Sequence, residues 1–336
     1  MDSNQFNDIE SKVGDYNVVP QKENKFVKIL YALLICIGFL AIWLATELII
    51  SVIAGVLAVI LHPGYNEAQL TNLLLEWSVG LTFIRSILVV VIYYLIYTLM
   101  KKSFLNKIKA TLPDKASYLP TIVIGASGQY ATLLGLGLIM SLLPQSWLDA
   151  FNQTNEAVEG ANPILSFITV VILAPLFEEI LCRGLILNTL RNVMPRWVAI
   201  VLSSAIFGVI HGNPIQFIYA TVIGILLGYL YTKYESIIVP IICHLVFNLM
   251  SMINSYIGTE GETITTIIIG LIAYASVPIF IFAIVYVAIR PAKIKTTDTP
   301  SKQITFTYEP RPEYNADALA KIESELEIKN NNDNGD

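Results

Sequence analysis

Long apolar runs separated by short polar stretches dominate the chain, and neither the helical surface period nor the strict alternation of a half-buried strand organises them. Counting roughly 20 apolar residues as one crossing at about 1.5 Å per residue, the segments 27–61, 77–100, 119–143, 163–187, 197–211, 215–232, 237–254 and 264–289 qualify. The first is long enough to tilt or to project beyond the bilayer, and the fifth is short, ending at the break Gly212-Asn213-Pro214. The pattern predicts an all-α fold: a polytopic transmembrane helical bundle of about eight spans.

The polar connections carry the topology. Stretches 62–72, 144–163, 212–214 and 255–263 contain no Lys or Arg. Lys101, Lys102, Lys107, Lys109 and Lys115, then Arg191 and Arg196, then Lys233, then Arg290, Lys293 and Lys295 fall on the alternate side. The positive-inside rule puts that side, and with it both termini, in the cytoplasm. We expect an integral membrane protein of the plasma membrane. The polar start lacks a basic n-region and a cleavage site and leads into a span too long for a signal peptide, so the first span is expected to be a retained anchor. The tail beyond about 296, ending Asn330-Asn331-Asn332-Asp333-Asn334-Gly335-Asp336, is too polar to bury a core and reads as disordered.

Composition agrees with the pattern: 55% of the 336 residues are hydrophobic and 14% charged, with a mean hydropathy of +0.63. The net charge of −5 comes largely from the polar ends and decides little. No basic patch with interleaved aromatics exists, which excludes a nucleic-acid partner. Cys36, Cys182 and Cys243 lie within apolar runs at no metal-ligand spacing and read as small buried thiols.

Against this apolar background Glu178, Glu179, His211 and His244 stand out, because ionisable groups at membrane depth are costly unless paired or facing a polar cavity. On a helix Glu179 and Arg183 are i, i+4 neighbours, so Glu179 is the expected partner of Arg183. Glu178, about 100° round the helix, is left to face another element and is the better candidate for chemistry. A buried salt bridge alone would account for one Glu and the Arg, but not for a second Glu with two histidines elsewhere. Phe207 precedes His211 by one turn, and His244 and Asn248 share a helical face. His62, before Pro63 in a loop, is set aside. From the nearest basic flanks Glu178 is 13 residues from Arg191, His211 15 from Arg196 and His244 11 from Lys233, or roughly 16–23 Å at helical rise. That brings the three to one level, provided the Gly212-Asn213-Pro214 hairpin lies inside the protein. Glu47 and Arg85 are further intramembrane charges, expected to form a packing ion pair, to sit near an interface or to line a substrate path.

In order along the chain, Glu178-Glu179-x-x-x-Arg183, Phe207-x-x-x-His211 and His244-x-x-x-Asn248 resemble the motifs of the CPBP family, the CAAX proteases and bacteriocin-processing enzymes of the Abi type, over about 120–250. The resemblance implies an intramembrane endopeptidase similar to type II CAAX prenyl endopeptidases, acting on a peptide or membrane-protein substrate, lipidated ones included. By position it implies that Glu178 and His211 activate the attacking water, that His244 and Asn248 stabilise the oxyanion, and that Glu179 and Arg183 hold the shape of the site. The chemistry is consistent. A Glu among apolar groups makes a better proton shuttle, and an imidazole N–H with a carboxamide supplies oxyanion donors.

The same Glu178, His211 and His244 are also a ligand set for Zn2+. Because His-Glu-x-x-His is absent and the ligands come from three helices, a metal-independent reaction is preferred. A non-catalytic membrane protein, such as a bacteriocin self-immunity factor or a scaffold, is the alternative, and the complete quartet Glu178, His211, His244 and Asn248 argues against it. A transporter is disfavoured by the lack of an inverted repeat. The expected organisation is a polar cytoplasmic segment 1–26, N-terminal spans and a cytoplasmic loop 27–118, a catalytic membrane core 119–254, a last span 255–290 and a disordered cytoplasmic tail 291–336.

Overall fold

A computed structural model describes residues 24–258 and 263–291, and every one of its regular elements is helical. The expectations for the first residues and for the tail lie outside the described residues. Helices α1 (Lys25–Leu61) and α2 (Glu67–Leu99) are followed by the short α3 (Phe104–Ile108). Then come α4 (Tyr118–Ile139), α5 (Gln145–Gly160), α6 (Pro163–Leu190) and α7 (Arg196–Val209). The last are α8 (Pro214–Tyr234), α9 (Ile238–Gly258) and α10 (Thr263–Ile289). Among the described residues 7 helices are long and apolar enough to cross a membrane, and α7, with 14 residues, is the short apolar helix anticipated before Gly212. The chain is an integral membrane protein with a polytopic helical bundle fold.

Two elements depart from the sequence reading. Residues 67–76 belong to α2, ahead of the expected start at 77, because Asn66 and Gln69 form a capping box, Asn66 accepting from the Gln69 N–H at 3.0 Å and Gln69 from the Asn66 N–H at 2.9 Å. The stretch 144–163, expected as a connection, contains the amphipathic α5. Trp147, Leu148, Phe151 and Val158 are half-buried there, whereas Asp149, Asn152, Glu156 and Glu159 are exposed.

The bundle is built around α6 and α8, whose most apolar stretches are 44% and 50% buried, against 17% for α1 and α10 at the periphery. The large exposed apolar side chains of α1 and α10 face outward, as lipid-facing surface should. Helix α4 packs on α9 and α10, α7 on α8, and α1 on α2. Close approach is set by glycine: a Cβ on Gly125 of α4 would stand 2.5 Å from the Cys243 carbonyl of α9, and one on Gly208 of α7 would stand 2.3 Å from Thr221 Oγ1 of α8.

Helix α6 is not uniform. Pro163 at its first turn and the Asn162 cap, which accepts from Ile164 and Leu165 N–H at 3.0 and 3.2 Å, start it. It then widens to π winding over Phe167–Leu173, returns to α over Ala174–Glu179 and widens again over Ile180–Leu187. Pro175 has no N–H to give Val171, and its ring crowds that carbonyl in a regular α-helix; the wider turn before it relieves the clash. Glu178 and Glu179 sit in the α turn between the two wide segments.

Candidate active site

Glu179 is fully buried, and the predicted partner is in place: Arg183 Nη1 donates to Glu179 Oε1 at 2.7 Å. Arg183, itself fully buried, also donates through Nη2 to the Gly224 carbonyl of α8 at 3.0 Å and lays its guanidinium over the Phe207 ring, Cζ to centroid 4.4 Å. An arginine with no exposure thus ties α6 to α7 and α8 by charge, backbone acceptor and ring together.

His244 of α9 reaches the same carboxylate, its Nδ1 lying 2.9 Å from Glu179 Oε1. A carboxylate only accepts, so Nδ1 carries the hydrogen and Nε2 is turned toward Glu178, 3.7 Å from its Oε2. Glu178 is the exposed member of the pair, its side chain 16% accessible against 0% for Glu179. His211 Nδ1 donates to the Phe207 carbonyl at 2.7 Å, which leaves Nε2 as the free acceptor. Phe207 meets both imidazoles edge-on, at centroid distances of 4.9 Å to His211 and 5.5 Å to His244. Asn248, one turn beyond His244, donates one Nδ2 hydrogen to the Val170 carbonyl at 2.9 Å, which leaves the second for another acceptor.

Glu178, His211, His244 and Asn248 all line one cavity of about 750 Å³. In the hairpin before α8, Gly212 is exposed and takes φ +67°, whereas Asn213 is buried and caps α8 by accepting from Ile215 and Gln216 N–H at 2.9 and 3.2 Å. His62 is outside the site, stacked on Tyr65. Glu47 and Arg85 pair with each other, Arg85 also lining the cavity. The three cysteines are buried and free.

Sequence reasoning left several contributors unassigned. Phe207 was noted only as an aromatic before His211, whereas it touches Arg183 and both histidines. The Gly224 carbonyl has no side-chain signal at all. Gln129 and Thr169 line the cavity from α4 and α6, and Thr169 Oγ1 is buried without a partner; a polar residue inside an apolar run was the available sign for each. A second cavity of about 820 Å³, walled almost entirely by apolar side chains of α4, α8 and α10, shares Thr132, Leu136, Tyr219 and Ile223 with the first. An apolar chain lying there borders the polar cavity without leaving the membrane interior.

The residues do not fit the zinc set. Among the described residues no three of His, Cys, Asp and Glu come together as a metal site requires. The arrangement offers a cavity-facing carboxylate, imidazole Nε2 atoms and the Asn248 amide donor around one cavity, the components of general acid–base hydrolysis.

Comparison with known proteins places the chain among proteases. A family described as type II CAAX prenyl endopeptidase Rce1-like matches residues 160–250, the stretch that carries all the motif residues. A protein of Bacillus subtilis (strain 168) named "Putative membrane peptidase YdiL" is 24% identical over 206 residues, covering 58% of this chain and 80% of that one. No solved structure matches.

Proposed function

We propose that the chain, which belongs to the CPBP family of CAAX-type membrane proteases, hydrolyses a peptide bond of a membrane-associated protein or peptide by water activated at Glu178. The observation that carries the reading is the contrast between the two adjacent carboxylates: Glu179 is fully buried and shared by Arg183 and His244, while Glu178 opens into the cavity beside His211, His244 and Asn248.

In the reaction, Glu178, helped by Nε2 of His211, takes a proton from water as its oxygen bonds to the scissile carbonyl carbon. The carbonyl oxygen gathers negative charge and is met by the second Nδ2 hydrogen of Asn248 and by His244 Nε2 when protonated. The C–N bond then breaks, and Glu178 returns the proton to the leaving nitrogen, so that carboxylic acid and amine are released and the enzyme is unchanged. Glu179, by accepting from Nδ1, sets the His244 ring so that Nε2 is turned toward Glu178. Arg183 holds the Glu179 carboxylate in place for that purpose. No step requires a metal.

The apolar cavity beside the polar one suits a substrate held in or against the membrane. The distribution of Lys and Arg supports an orientation with both termini cytoplasmic. The test is cleavage of a mixed library of hydrophobic and lipidated peptides by the detergent-purified wild type, Glu178→Gln and His211→Ala. Products from wild type alone, with all three proteins monodisperse, are expected; undiminished turnover by Glu178→Gln ends the mechanism.

A further inference from the structure

Apart from α2, which lends Thr82 and Arg85 from its middle, the helices that line the polar cavity do so mainly from one end of the bundle. From α4 come Gln129 and Leu136, in its C-terminal half; from α6 Thr169 and Glu178, in its first sixteen residues; from α8 Gln216, in its first turn. Helix α9 runs the other way and contributes from His244 onward through Asn248, Ser251 and Ser255, and α10 contributes Thr266 near its start. At that end α5 adds Asn155 and the exposed Glu159, whose carboxylate is hydrogen-bonded by Ser255 Oγ.

Toward the opposite end the bundle is solid. Below Glu179, α6 continues through Cys182, Leu185, Ile186 and Leu187, all with no exposure, in one apolar cluster with the likewise buried Tyr231 of α8. The loop after α2 closes that end from outside. Ile108 fills the place a side chain at Gly184 would take, Lys107 Nζ donates to Thr189 Oγ1 at 2.9 Å, and Arg191 grips Glu235 with two bonds of 2.8 Å. A water molecule or peptide at Glu178 has an open polar path at one end and a packed, ion-paired wall at the other.

The closed end is the one that carries Lys101, Lys102, Lys107, Lys109, Arg191 and Lys233, whereas the connections at the open end, residues 62–66 and 144–162, hold no Lys or Arg. We propose that the catalytic cavity opens on the non-cytoplasmic face of the membrane, with α5 lying across its mouth as an interfacial helix. Its substrate is then a segment at or beyond the outer leaflet of a membrane protein or secreted precursor, and a peptide bond presented only in the cytoplasm does not reach Glu178. The substrate consequence rests on the protease reading above; the sidedness of the cavity does not.

The experiment measures sidedness without requiring activity. The native cysteines are buried, so single cysteines introduced at Ser251 in the cavity, at Asn155 in its mouth and at Lys102 on the closed face report the access of a membrane-impermeant maleimide in right-side-out and inverted vesicles. Ser251→Cys and Asn155→Cys are expected to label from outside only, and Lys102→Cys from the cytoplasmic side only. Labelling of both cavity positions from the side that reaches Lys102→Cys, labelling of neither from outside, or Lys102→Cys reacting from outside each overturns the proposal. If the labelling is as expected but the wild type cleaves no peptide supplied on either side, the protease reading fails while the opening stands.

Discussion

Glu179 accepts from Arg183 and His244 at once and has no other way to satisfy its buried charge, so Arg183→Ala leaves a carboxylate stranded in the bundle. Thermal unfolding in detergent should show a loss of about 3–5 kcal/mol; a variant as stable as wild type would mean that the pair is dispensable. Asn248→Ala removes one proposed oxyanion donor together with the bond to Val170. Turnover should fall by about 10²–10³-fold for a stability change of only about 1 kcal/mol, read by kcat beside melting temperature. The Glu179–Arg183 partnership was legible from i, i+4 spacing alone, as was the freedom of Glu178. The bond from His244 to Glu179 was not, because it depends on how α9 is rotated against α6, which no local spacing encodes.

Helices decide which of these side chains can meet. The α turn that holds Glu178 and Glu179 lies between two π-wound stretches, and the wider winding resets which side chains face inward. From sequence, Pro175 marked a disturbance but not its form. Helix α5 was missed because loss of apolarity was read as the end of order, although Trp147, Phe151 and Val158 recur at helical spacing. The α4–α9 contact offers a test at this scale. Gly125→Ala drives a Cβ into the Cys243 carbonyl, and α9 must shift, carrying His244 and Asn248 with it. Overpacking of this kind costs about 1–3 kcal/mol, and activity should fall much further than stability; a fully active Gly125→Ala protein would show that the helix spacing at the site is not tight.

At the scale of the whole molecule, the hydrophobic runs and the distribution of Lys and Arg gave the class and a testable orientation, because lipid allows few alternatives to helices of about 20 residues. What they could not give is where the interior is empty, since a cavity is the difference between packed surfaces. The account joins that cavity to one chemistry, water activated by Glu178 without a metal. Its most direct test is cleavage of an identified peptide in water enriched in oxygen-18 after exhaustive chelation, by wild type and Glu178→Gln, with products read by mass spectrometry. The account predicts one heavy oxygen in the new carboxylate from the chelated wild type and no product from the variant. Product from Glu178→Gln at the wild-type rate, or activity lost on chelation and restored by zinc, would contradict it.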